Sequence, residues 1–336
     1  VTAETLLDRH DAVLFDLDGT VYHGTRPIPA AADAVAHVRE RGRPVRFVTN
    51  NASKSPDAVA EHLASVGVPA TPSEVSTSAQ AAAALLGELL PAGATVLVVG
   101  TESLQAEVRA VGLRPTREHG PDVAAVVQGH SPDTCWNDLA EACLALRDGA
   151  SWVACNGDVT LPTERGQLPG NGSMVAALRA ATGREPRVAG KPEAPLLRTA
   201  AQSAGATAPL VVGDRLDTDI AGAHAAGYRS LVVLTGVATA RQLLTAGPGE
   251  RPDYLAADLS AVTRDPSVDE LKIGPRTGWE IDVVDGVALV GSSGEEPADR
   301  LDLLRHLCHV AWTASVSGVR ARDGVADAAL ASWDVR

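Results

Sequence analysis

Short, continuous apolar runs alternate with longer Ala- and Leu-rich stretches along most of the 336-residue chain. The runs at 12–15, 45–48, 96–99, 123–127, 152–154, 210–212 and 231–234 read as strands buried on both faces. The stretches between them read as helices. Ser55-Pro56 and Ser131-Pro132 each place a capping side chain before a proline suited to the first helical position. Gly42, Gly67, Gly112 and Gly227 stand where helices should stop. This alternation, running to about Thr263, predicts an α/β fold with mainly parallel sheets.

The pattern then changes. Residues 265–276 hold two prolines, a glycine and mixed charges, and read as a linker. Beyond them the apolar runs 280–284 and 287–290 flank Asp285-Gly286, a strong hairpin signal. A helix should follow, with Leu301, Leu304, Leu307, Cys308 and Ala311 on one face and Pro297 near its first turn. This 265–336 unit is small for an independent core, so it should dock on the main body or on a second subunit.

Composition narrows the partners. The net charge of −13 argues against a nucleic-acid backbone or an anionic membrane as the main partner. No apolar run approaches the ~18 residues of a membrane span, and no secretory leader is visible. Cys135, Cys143, Cys155 and Cys308 form no C-x-x-C pair and read as reduced thiols of a cytoplasmic protein. With aromatics at only 3%, the core must be built from Ala, Val and Leu. Three of the 29 basic residues are lysines, Lys54, Lys191 and Lys272, and the rest are arginines. That scarcity is a hint at three positions and no more: Lys54 reads either as a solvated cation or as part of the positive field at a site mouth, and Lys272 as a surface residue.

The chemistry concentrates at strand ends. Asp16-Leu17-Asp18-Gly19-Thr20 follows the first strand directly. Residues i and i+2 point the same way, so both carboxylates converge beyond the strand's C-terminal end, where α/β sheets bind ligands. Two such charges are costly together unless a cation neutralises them. Thr49-Asn50-Asn51 ends the second strand, Gly190-Lys191-Pro192 opens a helix, and Gly213-Asp214 ends a later strand with Asp217 and Asp219 just beyond. The interval from Asp16 to Thr49 fits one helix and one strand. The interval from Thr49 to Lys191 is far longer and holds its own strand–helix alternation, so it must contain an insertion.

These motifs, in this order, resemble the haloacid dehalogenase-type phosphatases, and within them the NagD-like subgroup (subclass IIA). The resemblance covers roughly residues 10–262. It looks most similar to the actinobacterial glycerol 3-phosphate phosphatases, which carry a C-terminal extension. It implies a Rossmann-like core with a parallel sheet from 1–79 and 182–262, an inserted α/β cap of the C2 type from 80–181, and a small α+β extension from 265–336. The implied reaction is Mg²⁺-dependent hydrolysis of a small phosphorylated metabolite. Asp16 is the expected nucleophile and Asp18 the expected acid and base. Lys191 stabilises charge on the phosphoryl group, and Thr49, Asn50 and Asn51 bind it. The Asp16 carboxylate, the Asp18 main-chain carbonyl and Asp214 would hold the metal. Asp219 and Gly19 are supporting residues, and Asp217 is a weaker choice.

Specificity is expected from cap loops carrying His130, Asn156 and Asp158. The scarcity of aromatics there leans toward a polyol phosphate, with glycerol 3-phosphate the leading substrate. Phosphoglycolate, a sugar phosphate, a nucleotide and pyridoxal phosphate are the alternatives. A phospho-acceptor signalling module is a more distant rival, opposed by Asp18 and by the long insertion. The extension is expected to buttress the core or form a homodimer contact. A remnant of an acyltransferase-like fold is the alternative, although no Gly-rich pyrophosphate loop is present.

Overall fold

Val13, Leu14 and Phe15 have no polar atoms to satisfy beyond their backbone, and a parallel strand satisfies that backbone while burying both faces. They form the strand Val13–Asp16 in a computed structural model that describes residues 4–163, 165–297, 299–314 and 316–335. The chain divides into two units. One comprises the residues up to Val45 together with those from Ala208 onward; the other is Arg46–Thr207.

In the first unit, Val13–Asp16, Leu210–Gly213, Arg229–Val233 and Tyr254–Ala256 lie side by side in that order, all parallel. The registers are Val13 with Leu210, Leu210 with Arg229, and Leu231 with Tyr254. Three of the four strands arise from the apolar runs. Tyr254–Ala256 is only three residues long and gives no comparable run. After Leu210–Gly213 the chain enters a wide π-type turn, Leu216–Ile220, which leads into the helix Ala221–Ala226.

The extension shares this unit's core. Its hairpin pairs Trp279–Val284 with Val287–Ser292, and Val284 faces Val287 across the turn. Asp285 and Gly286 both have positive φ, 50° and 76°, as a tight hairpin with the native strand twist requires. Gly318–Ala321 adds a parallel third strand. On the helix Asp302–Thr313, Leu303, Leu304, Leu307 and Cys308 are buried in one cluster with Ile220, Val232, Leu243 and Leu255. The extension thus docks on the main body, and Trp279, Trp312 and Trp333 pack onto the same cluster.

Arg305 is the largest fully buried side chain. Its Nε and Nη2 donate to Leu255 O at 3.2 and 2.8 Å, and its Nη1 pairs with Asp299 and Asp302 at 3.0 Å each. The linker expectation needs correction. Val268–Leu271 is a short helix opened by a capping box between Ser267 and Glu270, and Val268 and Leu271 are buried. Two apolar residues three apart suffice to seat it. The helix after the hairpin also begins later than Pro297 suggests, with Leu301 at its N-cap.

In the second unit Phe47, Val48 and Thr49 of the strand Val45–Thr49 pair in parallel with Val75, Ser76 and Thr77. A separate five-stranded parallel sheet runs in the order Arg187–Val188, Ser151–Ala154, Val123–Gln128, Thr95–Val99, Arg114–Thr116. An antiparallel hairpin, Thr160–Thr163 with Gly166–Pro169, stands apart from it. Ser55 caps its helix as expected, accepting from Ala58 N at 3.2 Å with Pro56 at the first position. Ser131 does not. Its hydroxyl accepts from Asp133 N at 3.2 Å in a local turn, and the helix starts only at Trp136. The Asp138 carboxylate, which accepts from Cys135 N at 2.8 Å, makes the cap instead.

Candidate active site

In the first unit, the strand Val13–Asp16 delivers Asp16 to its C-terminal end and Leu210–Gly213 delivers Asp214 to the equivalent place one strand over. The π-type turn brings Asp219 back toward both. One carboxylate oxygen from each of Asp16, Asp214 and Asp219 lies within 4.8 Å of the others. Asp214 and Asp219 are almost wholly buried, at 0% and 1% exposure. Like charges so close in a poorly solvated place are stable only when a cation or protons neutralise them.

The backbone around these acids is built to hold them. Asp214 Oδ2 accepts from Val237 N at 2.7 Å, and Thr20 Oγ1 donates weakly to Oδ1 at 3.4 Å. Asp219 Oδ2 accepts from the backbone N–H groups of Asp214 and Arg215, at 3.2 and 3.1 Å. Gly19 has φ 94° and lies so close to Asp214 that any Cβ would collide with the carboxylate. Glycine is therefore required there twice, by conformation and by space. Asp18 is exposed, and its backbone bridges Tyr22. Asp217 turns away to pair with Arg215 at 2.7 Å, and that hydrogen bond holds its carboxyl below the usual range.

Tyr22 was not foreseen. Its phenol is pushed well above its ordinary value, first by burial and then by the Asp18 and Asp16 carboxylates. No periodicity or spacing marks such a residue. The clue available was its position four residues after Asp18 in a tight loop.

The second unit gathers the other motifs. Thr49 ends its strand with Oγ1 accepting from Asn51 N at 3.1 Å. Asn50 clasps the backbone of Lys191 at two points: Oδ1 accepts from Lys191 N at 2.8 Å and Nδ2 donates to Lys191 O at 2.9 Å. Gly190 must be glycine for this, since a Cβ would lie 2.6 Å from Asn50 Oδ1 and from Cys155 O. Asn51 Oδ1 accepts from Ser53 N at 2.8 Å and Lys54 N at 3.2 Å, closing the turn before the next helix.

Asn156 Nδ2 donates to Asn50 O at 2.7 Å, and Asp158 lies 3.3 Å from Asn50 Nδ2. Two of the three residues assigned to specificity thus converge on Asn50. His130 lies half-buried two residues beyond the strand Val123–Gln128 and takes no part in this set of bonds. Of the three lysines, Lys191 is buried at 2% exposure, while Lys54 and Lys272 are exposed.

A parallel sheet with two carboxylates at neighbouring strand ends and a third from the following turn is suited to hold a metal ion in an α/β enzyme, and comparison with known proteins gives the class as hydrolase. Residues 13–114 match the haloacid dehalogenase-like hydrolase family and residues 188–262 a HAD-hydrolase-like family. Residues 276–335 match a GCN5-related N-acetyltransferase like domain. The D-glycerol 3-phosphate phosphatase of Mycobacterium tuberculosis is 49% identical, over 99% of this chain and 96% of its own length. The 5′-nucleotidase YutF of Bacillus subtilis is 39% identical over 69% of this chain and 90% of its own. A crystal structure of a glycerol phosphate phosphatase from Mycobacterium tuberculosis in complex with magnesium superposes with a TM-score of 0.95 at 50% identity, covering 99% of this chain and 100% of that one. The chain belongs to the haloacid dehalogenase-like hydrolases.

The donor set suits the family's cofactor. Asp16, Asp214 and Asp219 offer only hard oxygen ligands, the chemistry that Mg²⁺ selects over softer metals.

Proposed function

We propose that this protein is a Mg²⁺-dependent phosphatase of small phosphate monoesters, with glycerol 3-phosphate as its substrate. The observation that carries the reading is the meeting of the Asp16 and Asp214 carboxylates, at the ends of adjacent parallel strands, with that of Asp219 from the turn beyond. Glycerol 3-phosphate is favoured because the mycobacterial relative that acts on it matches nearly end to end, extension included. A nucleotide or sugar phosphate is the second reading. The nucleotidase YutF and an acid sugar phosphatase of Staphylococcus aureus, 37% identical, both match over 69% of the chain.

In the proposed mechanism Asp16 attacks phosphorus and displaces the alkoxide, forming an aspartyl-phosphate. Asp18, exposed and two residues on, gives its proton to the leaving oxygen. It then takes a proton from the water that hydrolyses the intermediate. Bound Mg²⁺, held by the Asp16 carboxylate, the Asp18 main-chain carbonyl and Asp214, would offset the repulsion between the carboxylate and the phosphate dianion. Asp219 fixes the backbone of Asp214 and Arg215.

Thr49, Asn50, Asn51 and Lys191 are assigned to the phosphoryl oxygens from the order of the motifs. The clasp of Asn50 on Lys191 supports a shared task for those two. We also propose the three-part organisation of core (1–79 and 182–262), cap (80–181) and extension (265–336), a cytoplasmic location and a homodimeric assembly. His130, Asn156 and Asp158 remain the proposed specificity residues.

The test is a panel of monoesters ranked by kcat/KM, run on the wild-type protein and on Asp16→Asn. Glycerol 3-phosphate should head the panel. Asp16→Asn should lose roughly 10³-fold or more in turnover while keeping its circular dichroism spectrum. A fully active Asp16→Asn variant would sink the mechanism, and a different leading substrate would replace glycerol 3-phosphate.

A further inference from the structure

Asp214 is held by its own strand and also by the loop 234–239, which joins the strand Arg229–Val233 to the helix Ala240–Leu244. Val237 N donates to the Asp214 carboxylate at 2.7 Å, and Ala238 N donates to the Asp214 main-chain oxygen at 2.8 Å. Thr235 Oγ1 donates to Gly19 O at 2.7 Å, tying the same loop to the backbone beside Asp18. Gly236 lies so close that a Cβ would collide with the Asp214 carboxylate. The loop is therefore fitted to this one side chain.

The helix that follows is fixed at both ends. At its start Thr239 and Gln242 form a reciprocal capping box, with Gln242 N donating to Thr239 Oγ1 at 3.3 Å and Thr239 N to Gln242 Oε1 at 2.9 Å. Its end is fastened by the extension. The indole Nε1 of Trp312 donates to Leu243 O at 2.9 Å, a carbonyl of the last turn that also accepts from Ala246 N at 3.3 Å. Arg251 completes the fastening. Its Nε donates to Ala246 O at 3.1 Å, its Nη1 donates to Trp312 O at 3.3 Å, and its guanidinium lies 5.4 Å from the Trp312 ring centre. Ala238, Ala240 and Leu243 share a buried cluster with Leu304, Leu307 and Cys308 of the extension.

We propose that Trp312 and Arg251 are positioning residues for the metal site. They fix the helix Ala240–Leu244, and through it the Val237 N–H that orients the Asp214 carboxylate. This rests on the assignment of Asp214 as a metal ligand. A ligand whose orientation is set by an outer hydrogen bond binds its metal less tightly once that bond is loosened. The C-terminal extension thereby gains a part in metal binding, although none of its residues is a ligand.

The test is titration of the metal-free, full-length protein with Mg²⁺ by calorimetry, followed by kcat at rising Mg²⁺. Trp312→Phe keeps the ring and loses the donor. It should bind Mg²⁺ about 3- to 10-fold more weakly, the range one hydrogen bond spans. Its kcat should recover at saturating Mg²⁺. A merely structural lesion would lower kcat at every Mg²⁺ concentration, and that result overturns the proposal. Trp333→Phe, on the same extension but stacked at 5.0 Å with Arg300, should bind Mg²⁺ like wild type, and a weakening equal to that of Trp312→Phe overturns the proposal. Should Trp312→Phe fail to fold, Arg251→Lys decides, since it keeps the charge and loses the planar fork. Wild-type affinity in whichever variant folds overturns this inference alone. Failure of the wild-type protein to bind Mg²⁺ overturns the metal assignment and this inference with it.

Discussion

Tyr22 reports on the electrostatics of the site from outside the motifs. Burial and two neighbouring carboxylates keep its phenol protonated above the ordinary tyrosine range of about 10. Above that pH the unfolded chain releases this proton and the folded chain keeps it. The folded state then binds more protons, so stability falls as pH rises. The Tm of the wild-type protein should decline between about pH 10 and 11, and in Tyr22→Phe that decline should be shallower by differential scanning fluorimetry. Equal slopes would show that Tyr22 does not titrate abnormally. At this scale two of the three clustered carboxylates were legible, because Asp16 and Asp214 sit in a spacing that packing does not explain. The parts that hold them were not. Val237 acts through its backbone N–H, which every residue but proline possesses. Membership of Asp219 in the carboxylate cluster depends on a π-type turn that leaves no sequence signature.

Among the elements, legibility followed length and apolar continuity. The seven apolar runs all became strands, and the Asp285-Gly286 signal gave its hairpin. The strands that escaped notice are two or three residues long or lack an apolar run, as at Arg114–Thr116 and Arg187–Val188. Tertiary pairing alone makes them strands. Ser131-Pro132 misled for a related reason. A capping signal works only where a helix with a buried face follows at once, and here the helix starts at Trp136 and buries only Ala142, Ala145 and Leu146. The hairpin turn offers a direct check. Gly286 has φ 76°, so Gly286→Val forces a β-branched residue into the left-handed region and should cost about 1–2 kcal/mol. A drop of a few degrees in Tm should follow, with phosphate-monoester hydrolysis at 25 °C unchanged. An unshifted Tm would mean that the turn relaxes freely.

For the molecule as a whole, the sequence divides more readily than the structure does. Linker-like composition at 265–276 and separate family matches suggest a hydrolase with a detachable appendix. The buried cluster crosses that division, uniting Leu216, Ile220, Leu243 and Leu255 with Leu304, Leu307 and Leu330. Removing 265–336 would expose those apolar faces to water, at roughly 25 cal/mol per Å² uncovered. Expression of residues 1–264 should therefore yield aggregated or unfolded protein. A soluble, fully active truncation would show instead that the extension is a separate module with its own task. Sequence patterning could size the extension but could not say what it leans on, because a buried face looks the same whichever neighbour covers it.

Arg305 sets a rule for exchanging parts between relatives. Its guanidinium is buried against the carbonyl of Leu255 and paired with two acids of its own segment. Grafted onto a hydrolase that lacks a fitted acceptor edge, the same segment would carry an enclosed cation to a surface unprepared for it. A chimaera should therefore succeed only when the edge strand Tyr254–Ala256 and the helix Ala240–Leu244 travel with the segment, so that donor and acceptor are inherited as one block.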